Sequence, residues 1–287
     1  MTPDVALVKG ARRPVSVLGV IALHEYRRAL ETRWLFGFAL IFAVVVLALS
    51  YFGLVASREV GFQSLARLTL SLLNLVLVLV PLAALTFGTQ SLARDPEALA
   101  LLLAQPVRRR DVLLGKYLGT LAALWAAELL GFGGGGILVA LSAGSGQGPG
   151  YAVLVALSMA LAASSLALAF LIAAIWPERV RSLSAALLLW IVQVILYDLL
   201  VLGLSAVLRG VALEQLLVPA LLLNPVDLVR VLTTLAVGSG ALFGPTSASL
   251  VRLFGAPAGI AASLGALVLW IVGPLALAVR VFERRDL

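Results

Sequence analysis

Six apolar stretches dominate this chain, and each is long enough to cross a lipid bilayer as a helix. A hydrocarbon core about 30 Å thick needs roughly 20 apolar residues in helical conformation. Lipid offers the backbone no hydrogen bonds and these runs lack period-two alternation, so the sequence predicts helices and not barrel strands. The resulting fold class is an all-α integral membrane protein with six spans, over residues 34–56, 68–92, 112–143, 151–176, 183–208 and 258–279.

The basic residues are distributed unevenly between the connections that join these spans. Of 21 Lys and Arg residues, 15 lie before the first span, between the second and third, between the fourth and fifth, or after the sixth, and Lys116 lies on the same side, just inside the start of the third span. Connections rich in Lys and Arg stay in the cytoplasm, so we expect a multi-pass inner-membrane protein with both termini cytoplasmic. The net charge of +7 therefore reflects topology and contact with lipid, and it does not indicate nucleic-acid binding.

The segment before the first span predicts an interfacial helix that lies along the membrane surface. Over residues 16–33, one helical face carries Leu23, Tyr26 and Leu30, and the charged residues lie mostly away from it. Such a pattern is typical of surface-bound helices, although an ordinary basic flank is the alternative.

The sequence predicts a single permease domain over residues 1–287. Its parts are the cytoplasmic and interfacial segment at 1–33, spans one to five at 34–208, a partly re-entrant outer connection at 209–257, and the sixth span with its tail at 258–287.

A short cytoplasmic helix is predicted between the second and third spans. Asp95 is a good N-cap residue, Pro96 suits the first helical position, and Pro106 stops the helix after Gln105. Arginines flank this helix on both sides. Such an element can bind a cytoplasmic partner, while a plain loop whose arginines only set topology fits the sequence equally well.

The connection between the fifth and sixth spans is long and mostly apolar. Its two apolar runs, 211–223 and 226–237, are each too short to cross a bilayer. Asn224 can cap the second run, with Pro225 at the first helical position and Asp227 in the first turn. The sequence therefore predicts two short helices that dip into the outer leaflet, and not a soluble extracytoplasmic domain.

Two acidic residues lie well inside the predicted spans, Glu128 in the third and Asp198 in the fifth. A carboxylate at this depth costs several kcal/mol unless it is paired, hydrated or protonated, so each residue is a functional candidate. We expect no Lys or Arg at a similar depth to pair with either. The alternative is a structural hydrogen bond between helices, for which Asn74 and Gln193 are candidate partners.

Glycines recur at helical spacing on the third span, as Gly115 with Gly119 and as Gly131 with Gly135. Small residues four positions apart allow two helices to approach closely. The pattern therefore predicts a close-packed or bending third span. A substrate path along the same face is the functional alternative.

Several kinds of chemistry lack the residues that they require. The chain has no Cys and a single His, His24, which excludes disulfides, thiolate metal sites and multi-histidine metal sites. No Gly-x4-Gly-Lys-Ser/Thr loop is present, since Gly115-Lys116 is followed by Tyr117. We therefore expect a chain that is not an enzyme, that does not itself bind ATP, and that holds no metal or other cofactor.

This order of elements resembles the permeases of ABC-2-type transporters. In that family the permease is separate from the ATPase, pairs with a second copy of itself, and sits above two subunits that bind ATP and magnesium. The resemblance covers nearly the whole chain. It implies ATPase contacts on the short cytoplasmic helix and its flanks, at Arg94, Asp95, Pro96, Glu97, Leu101, Gln105 and Arg108.

Shorter motifs narrow the resemblance to NosY-like permeases. The motifs are 33–35, 114–116, 131–133, 197–200 and 222–230. Such permeases accompany an ATPase and a NosD-like periplasmic β-helix protein that binds copper, and together they mature the copper site of nitrous oxide reductase in denitrification. For this chain the resemblance implies contacts with the periplasmic partner at Asn224, Pro225, Asp227 and Arg230.

One departure and three alternatives accompany this resemblance. Residues 94–97, Arg-Asp-Pro-Glu, stand where those permeases usually carry a more acidic, glycine-containing stretch. The alternatives are an ABC-2-type exporter of another small molecule, lipid or peptide, a proton-coupled carrier using Glu128 and Asp198, and an intramembrane enzyme, which the missing catalytic groups disfavour. With no Cys, one His and one internal Met, the chain is not expected to conduct copper itself.

Overall fold

A computed structural model of the chain describes residues 17–60, 64–93, 107–142, 148–207, 219–237 and 255–284. Within these residues every regular element is helical. The α-helices in chain order are α1 Val17–Leu30, α2 Arg33–Val60, α3 Ser64–Ala93, α4 Arg109–Ser142, α5 Gly148–Ile175, α6 Arg179–Ile191, α7 Tyr197–Val207, α8 Pro225–Val237 and α9 Ala256–Glu283, with a π turn, Val192–Leu196, joining α6 to α7.

Six helical segments in the described part of the chain are long and apolar enough to span a membrane. The segments lie on α2, α3, α4 and α5, on α6 continued through the π turn into α7, and on α9. They match the six apolar stretches of the sequence. The prediction of an all-α membrane protein with six spans is therefore confirmed.

The fourth span, α5, forms the centre of the bundle. It packs against α3, α4, α8 and α9, and it is the most buried of the six spans, whereas the fifth is the least buried. Nine of its 28 residues are alanine and three are serine, and small side chains let neighbouring helices approach closely. The position of α5 thus follows from its composition, and it leaves most of the fifth span facing outward.

Aromatic side chains join neighbouring helices through their polar atoms. Tyr117 Oη on α4 donates to the carbonyl of Ala163 on α5 at 3.0 Å. Trp190 Nε1 in the fifth span donates to the carbonyl of Val78 on α3, also at 3.0 Å. Because lipid is as apolar as the side chains, hydrogen bonds and close packing hold such helices together in place of hydrophobic burial.

The glycines of α4 provide flat surfaces for α1 and α2. A Cβ atom added to Gly119 would overlap the carbonyl of Ala22 on α1, and one added to Gly115 would meet an α1 side chain at 2.8 Å. Gly131 and Gly135 face α2 in the same manner, with the nearest atoms at 2.5 Å and 2.7 Å. Both predicted glycine pairs therefore serve close helix packing.

Helix α1 lies along α4, and several of its apolar side chains face outward. Val20, Leu23 and Leu30 are about half exposed, at 52%, 51% and 46%, while Glu25 is buried. An outward apolar face suits a helix bound to a membrane surface, and the interfacial position of α1 stays a prediction.

We call the end of the bundle that carries α1 the α1 end, and the other end, where α8 lies, the far end.

The connections between spans are described only in part. The predicted cytoplasmic helix over 95–105 and most of the run 211–223 lie outside the described residues. The second short apolar run is helical, as α8, and Asn224 caps it, because its Oδ1 accepts a hydrogen bond from the Val226 N–H at 3.1 Å. The position of α8 in the outer leaflet stays a prediction.

Candidate functional site

Buried polar side chains join α1, α3 and α4 at the α1 end. Lys116 Nζ lies 3.4 Å from Glu25 Oε2 and donates to the Ser91 carbonyl at 2.9 Å. Ser91 Oγ donates to Glu25 Oε1 at 2.7 Å, and Thr120 Oγ1 donates to Ser91 Oγ at 3.2 Å. We call these four residues the junction. They connect a helix before the first span with the second and third spans.

Burial makes the junction sensitive to the loss of either charge. The Lys116 and Glu25 side chains are only 10% and 9% exposed. Removing one member of a buried ion pair leaves the other charge without compensation, which costs about 3–5 kcal/mol. The pair therefore fixes the position of α1 against α4 as long as both charges are present.

The junction also borders the connection that carries the predicted ATPase contacts. Ser91 lies near the end of α3 and Lys116 near the beginning of α4, so the two residues flank the connection over 94–106. The sequence reasoning missed Glu25 and Ser91 as functional candidates. A signal was available in Lys116, because a lysine inside an apolar stretch requires a carboxylate or carbonyl partner.

A small cavity adjoins the junction. Its volume is about 30 Å³, and its walls combine Glu25, Arg28, Gln90 and Ser91 with apolar side chains such as Phe87. Such a volume holds about two water molecules, and polar walls supply the hydrogen bonds that ordered water needs.

At the far end, an arginine on α8 binds two carboxylates. Arg230 Nη1 and Nη2 donate to Asp198 Oδ1 and Oδ2 at 2.6 Å and 2.8 Å, and Nη1 also donates to Asp227 Oδ1 at 2.8 Å. The expectation that no basic residue pairs with Asp198 is therefore wrong. Arg230 belongs to a helix too short to span the membrane, and its depth depends on how α8 packs, which the sequence does not show.

The segment before α8 contacts the fifth span at the π turn. In this turn the Tyr197 N–H bonds to the carbonyl of Val192, five residues back. Asn224 Nδ2 donates to the Gln193 carbonyl at 2.9 Å, and Tyr197 Oη donates to the carbonyl of Ala220. The π turn is thus held from outside the span by backbone and side-chain groups of residues 220–224.

The burial of Asp227 gives α8 a pH dependence. Burial raises the pKa of Asp227 from 3.8 to about 6, Arg230 lowers it, and Asp198 raises it. Because the folded state binds the proton more tightly than the unfolded state, this carboxyl lowers stability as pH rises from about 4 to about 6.

We expect Asp227→Asn, measured by thermal unfolding in detergent, to flatten this dependence and to be as stable as the parent at pH 7.5. A variant that loses stability at pH 7.5 while keeping the pH dependence would contradict this assignment.

Glu128 is completely buried between the third and fourth spans. Its Oε2 accepts a hydrogen bond from Ser158 Oγ at 2.7 Å, and its Oε1 has no partner among the described residues. Of the two partners expected from the sequence, Asn74 is exposed, and Gln193 Oε1 is buried with no hydrogen-bond partner among the described residues. The structural hydrogen bond therefore exists, but its partner was predicted wrongly.

We expect Glu128→Gln to keep the thermal stability of the parent, because an unpaired ionised carboxylate at this depth would cost several kcal/mol and a neutral amide keeps the shape. Glu128→Leu should lower stability by about 1–3 kcal/mol, since Ser158 loses its acceptor. Thermal unfolding of the purified chain in detergent distinguishes the two. A strongly destabilised Gln variant would show that the ionised form is required.

The remaining predicted site residues are placed as follows. Arg94, Asp95, Pro96, Glu97, Leu101 and Gln105 lie outside the described residues, and Arg108 is exposed just before α4. Asn224, Pro225 and Asp227 are buried, and the Arg230 side chain is 33% exposed. No group of three or more metal-binding side chains occurs among the described residues. A surface contact at this end would therefore use Arg230 and not its three buried neighbours.

Comparison with known proteins identifies the family. Residues 20–287 match the profile of the ABC-2 family transporter protein. A Pseudomonas aeruginosa protein described as "Probable ABC transporter permease protein NosY" is 32% identical over 279 residues, covering 94% of this chain and 99% of the relative. A Stutzerimonas stutzeri protein with the same description is 32% identical over 274 residues, covering 92% and 97%. The chain belongs to the ABC-2 family, as the permease subunit of an ABC transporter that works with an ABC ATPase.

Proposed function

We propose that this permease transmits ATP-driven motion from its ATPase to a partner protein on the opposite side of the membrane. In this arrangement two copies of the chain lie in the inner membrane with their termini in the cytoplasm. The ATPase dimer, which binds ATP and magnesium, lies beneath the α1 end. The resemblance to NosY-like permeases supports a role in copper-site assembly of nitrous oxide reductase, with a periplasmic β-helix protein at the far end.

The junction is the observation that carries this proposal. Its hydrogen bonds join α1 to the two span ends that border residues 94–106, where the ATPase contacts are predicted. A displacement of that connection by the ATPase would therefore move α1, α3 and α4 together. This arrangement does not require that a cargo crosses the membrane.

Gentle detergent extraction from native membranes tests the proposal through what co-purifies with the chain. Recovery of an ABC ATPase together with a periplasmic β-helix protein is the expected result. Recovery of the ATPase alone would contradict the role in copper-site assembly and favour an exporter of another cargo. Recovery without any ATPase would contradict the coupling proposal as a whole.

We expect Arg108→Glu to weaken binding of the ATPase about tenfold, which corresponds to about 1.4 kcal/mol. The reason is that Arg108 is exposed beside the predicted contact helix and the substitution reverses its charge. Titration of the detergent-purified chain with the ATPase measures the dissociation constant. Arg284→Glu is the matched control, because Arg284 is also exposed at the α1 end but follows α9. Equal binding by both variants would remove Arg108 from the contact.

A further inference from the structure

The fifth span is interrupted where the far-end segment touches it. Its π turn, Val192–Leu196, separates α6 from α7, and π turns within α-helices occur frequently at functional sites. On the α6 side the span packs against α3. Much of the described part of α7 is exposed, and Tyr197 and Asp198 make polar contacts outside the span. The span is therefore held differently on the two sides of the turn.

Three polar contacts tie this turn and α7 to the segment 220–230. Asn224 Nδ2 bonds to the Gln193 carbonyl at 2.9 Å, inside the π turn. The hydroxyl of Tyr197 donates to the carbonyl of Ala220. Arg230 binds both oxygens of Asp198. The segment 220–230 therefore contacts both the backbone and the side chains of the fifth span.

We propose that these contacts form a latch through which movement of α7 about the π turn is passed to α8. The latch is closed by the two-pronged Arg230–Asp198 pair, with Asn224 and Tyr197 positioning the turn. Asp227 lies one helical turn before Arg230 on α8, and its Oδ1 accepts a hydrogen bond from the Arg230 guanidinium, which keeps that group oriented. This inference rests on the proposed function, because it supplies the last step by which motion reaches the far-end partner.

The Arg230–Asp198 pair lies at the edge of the packed bundle, with the side chains of Asp198 and Arg230 42% and 33% exposed on the surface of the chain. A two-pronged arginine–carboxylate contact is strong and fixes the relative orientation of its two groups. The pair can therefore hold α7 and α8 in one relative position while the two helices move together.

Hydrogen–deuterium exchange on the complex of the chain with its ATPase tests the latch, with ATP, magnesium and vanadate compared with no nucleotide. In the parent complex we expect nucleotide to change exchange in peptides from both α7 and α8. In Arg230→Gln the change in α7 should persist, while the change in α8 should fall to less than half. Arg181→Gln is the matched control, because it breaks an exposed ion pair with Glu178 at the other end of the same span; it should behave as the parent.

Tyr197→Phe provides a milder second variant in case Arg230→Gln does not fold, since it removes only the hydroxyl that reaches Ala220. It should reduce the α8 response without changing the α7 response. A full α8 response in either folded variant would overturn the latch and leave the coupling proposal intact. Absence of any nucleotide response in the parent complex would overturn the coupling proposal, and the latch with it.

Discussion

Lys116→Met is expected to lower the free energy of unfolding by about 3–5 kcal/mol, because it leaves the buried carboxylate of Glu25 without its counter-charge. The Ser91 carbonyl also loses the ammonium group that donates to it at 2.9 Å. Thermal unfolding of the purified chain in detergent measures the loss. Proteolysis should show α1 released from the bundle first, because Glu25 is the buried residue of that helix.

The double variant Glu25→Leu with Lys116→Met separates stability from function. Replacing both members of a buried ion pair by apolar residues is often neutral or stabilising, so the double variant should recover most of the lost stability. If the junction transmits motion, the double variant should bind its ATPase, but nucleotide should no longer change hydrogen–deuterium exchange in the helices beyond α4. A double variant as unstable as Lys116→Met would show that the loss does not come from the unpaired Glu25 carboxylate, and would contradict the ion pair as the contact that holds α1.

Gly119→Val is expected to displace α1 from the bundle and to cost about 1–3 kcal/mol or more, in the manner of an overpacked core. The added Cβ would overlap the carbonyl of Ala22 and lie 2.8 Å from the Cβ of Glu25 and 3.0 Å from the amide nitrogen of Tyr26. Backbone atoms of a helix cannot rotate away, so α1 as a whole has to shift. Thermal unfolding and the yield of folded protein in gel filtration measure the effect.

Gly133→Ala on the same helix is the matched control for this change. A Cβ added to Gly133 meets nothing within 4 Å, and alanine is up to about 1 kcal/mol better than glycine in a helix interior. The control should therefore equal or exceed the parent in stability. If Gly119→Val is as stable as Gly133→Ala, then α1 does not dock on this face of α4.

The junction and the far end also differ in how much of them the sequence could predict. Lys116 stood out because it interrupts an apolar stretch, yet Glu25 lies 91 positions away, and no local pattern connects the two. The cap of α8 was predictable, because Asn224-Pro225 is a local signal that concerns only neighbouring residues. The contact of α8 with the fifth span was not predictable, because the Arg230 and Asp198 side chains are 32 positions apart and meet only through packing.

The sequence by itself determined the number of spans and the all-helical class, because both follow from the thickness of the bilayer and the lack of hydrogen-bonding partners in lipid. It also determined that α4 packs closely, since the spacing of its glycines is a property of the helix itself. Only the tertiary structure decided which helices use those glycines and which carboxylate meets which cation. Such contacts join residues far apart in the chain, and they form when α1 and α8 pack against the spans. The sequence of a span does not show which distant residue will contact it.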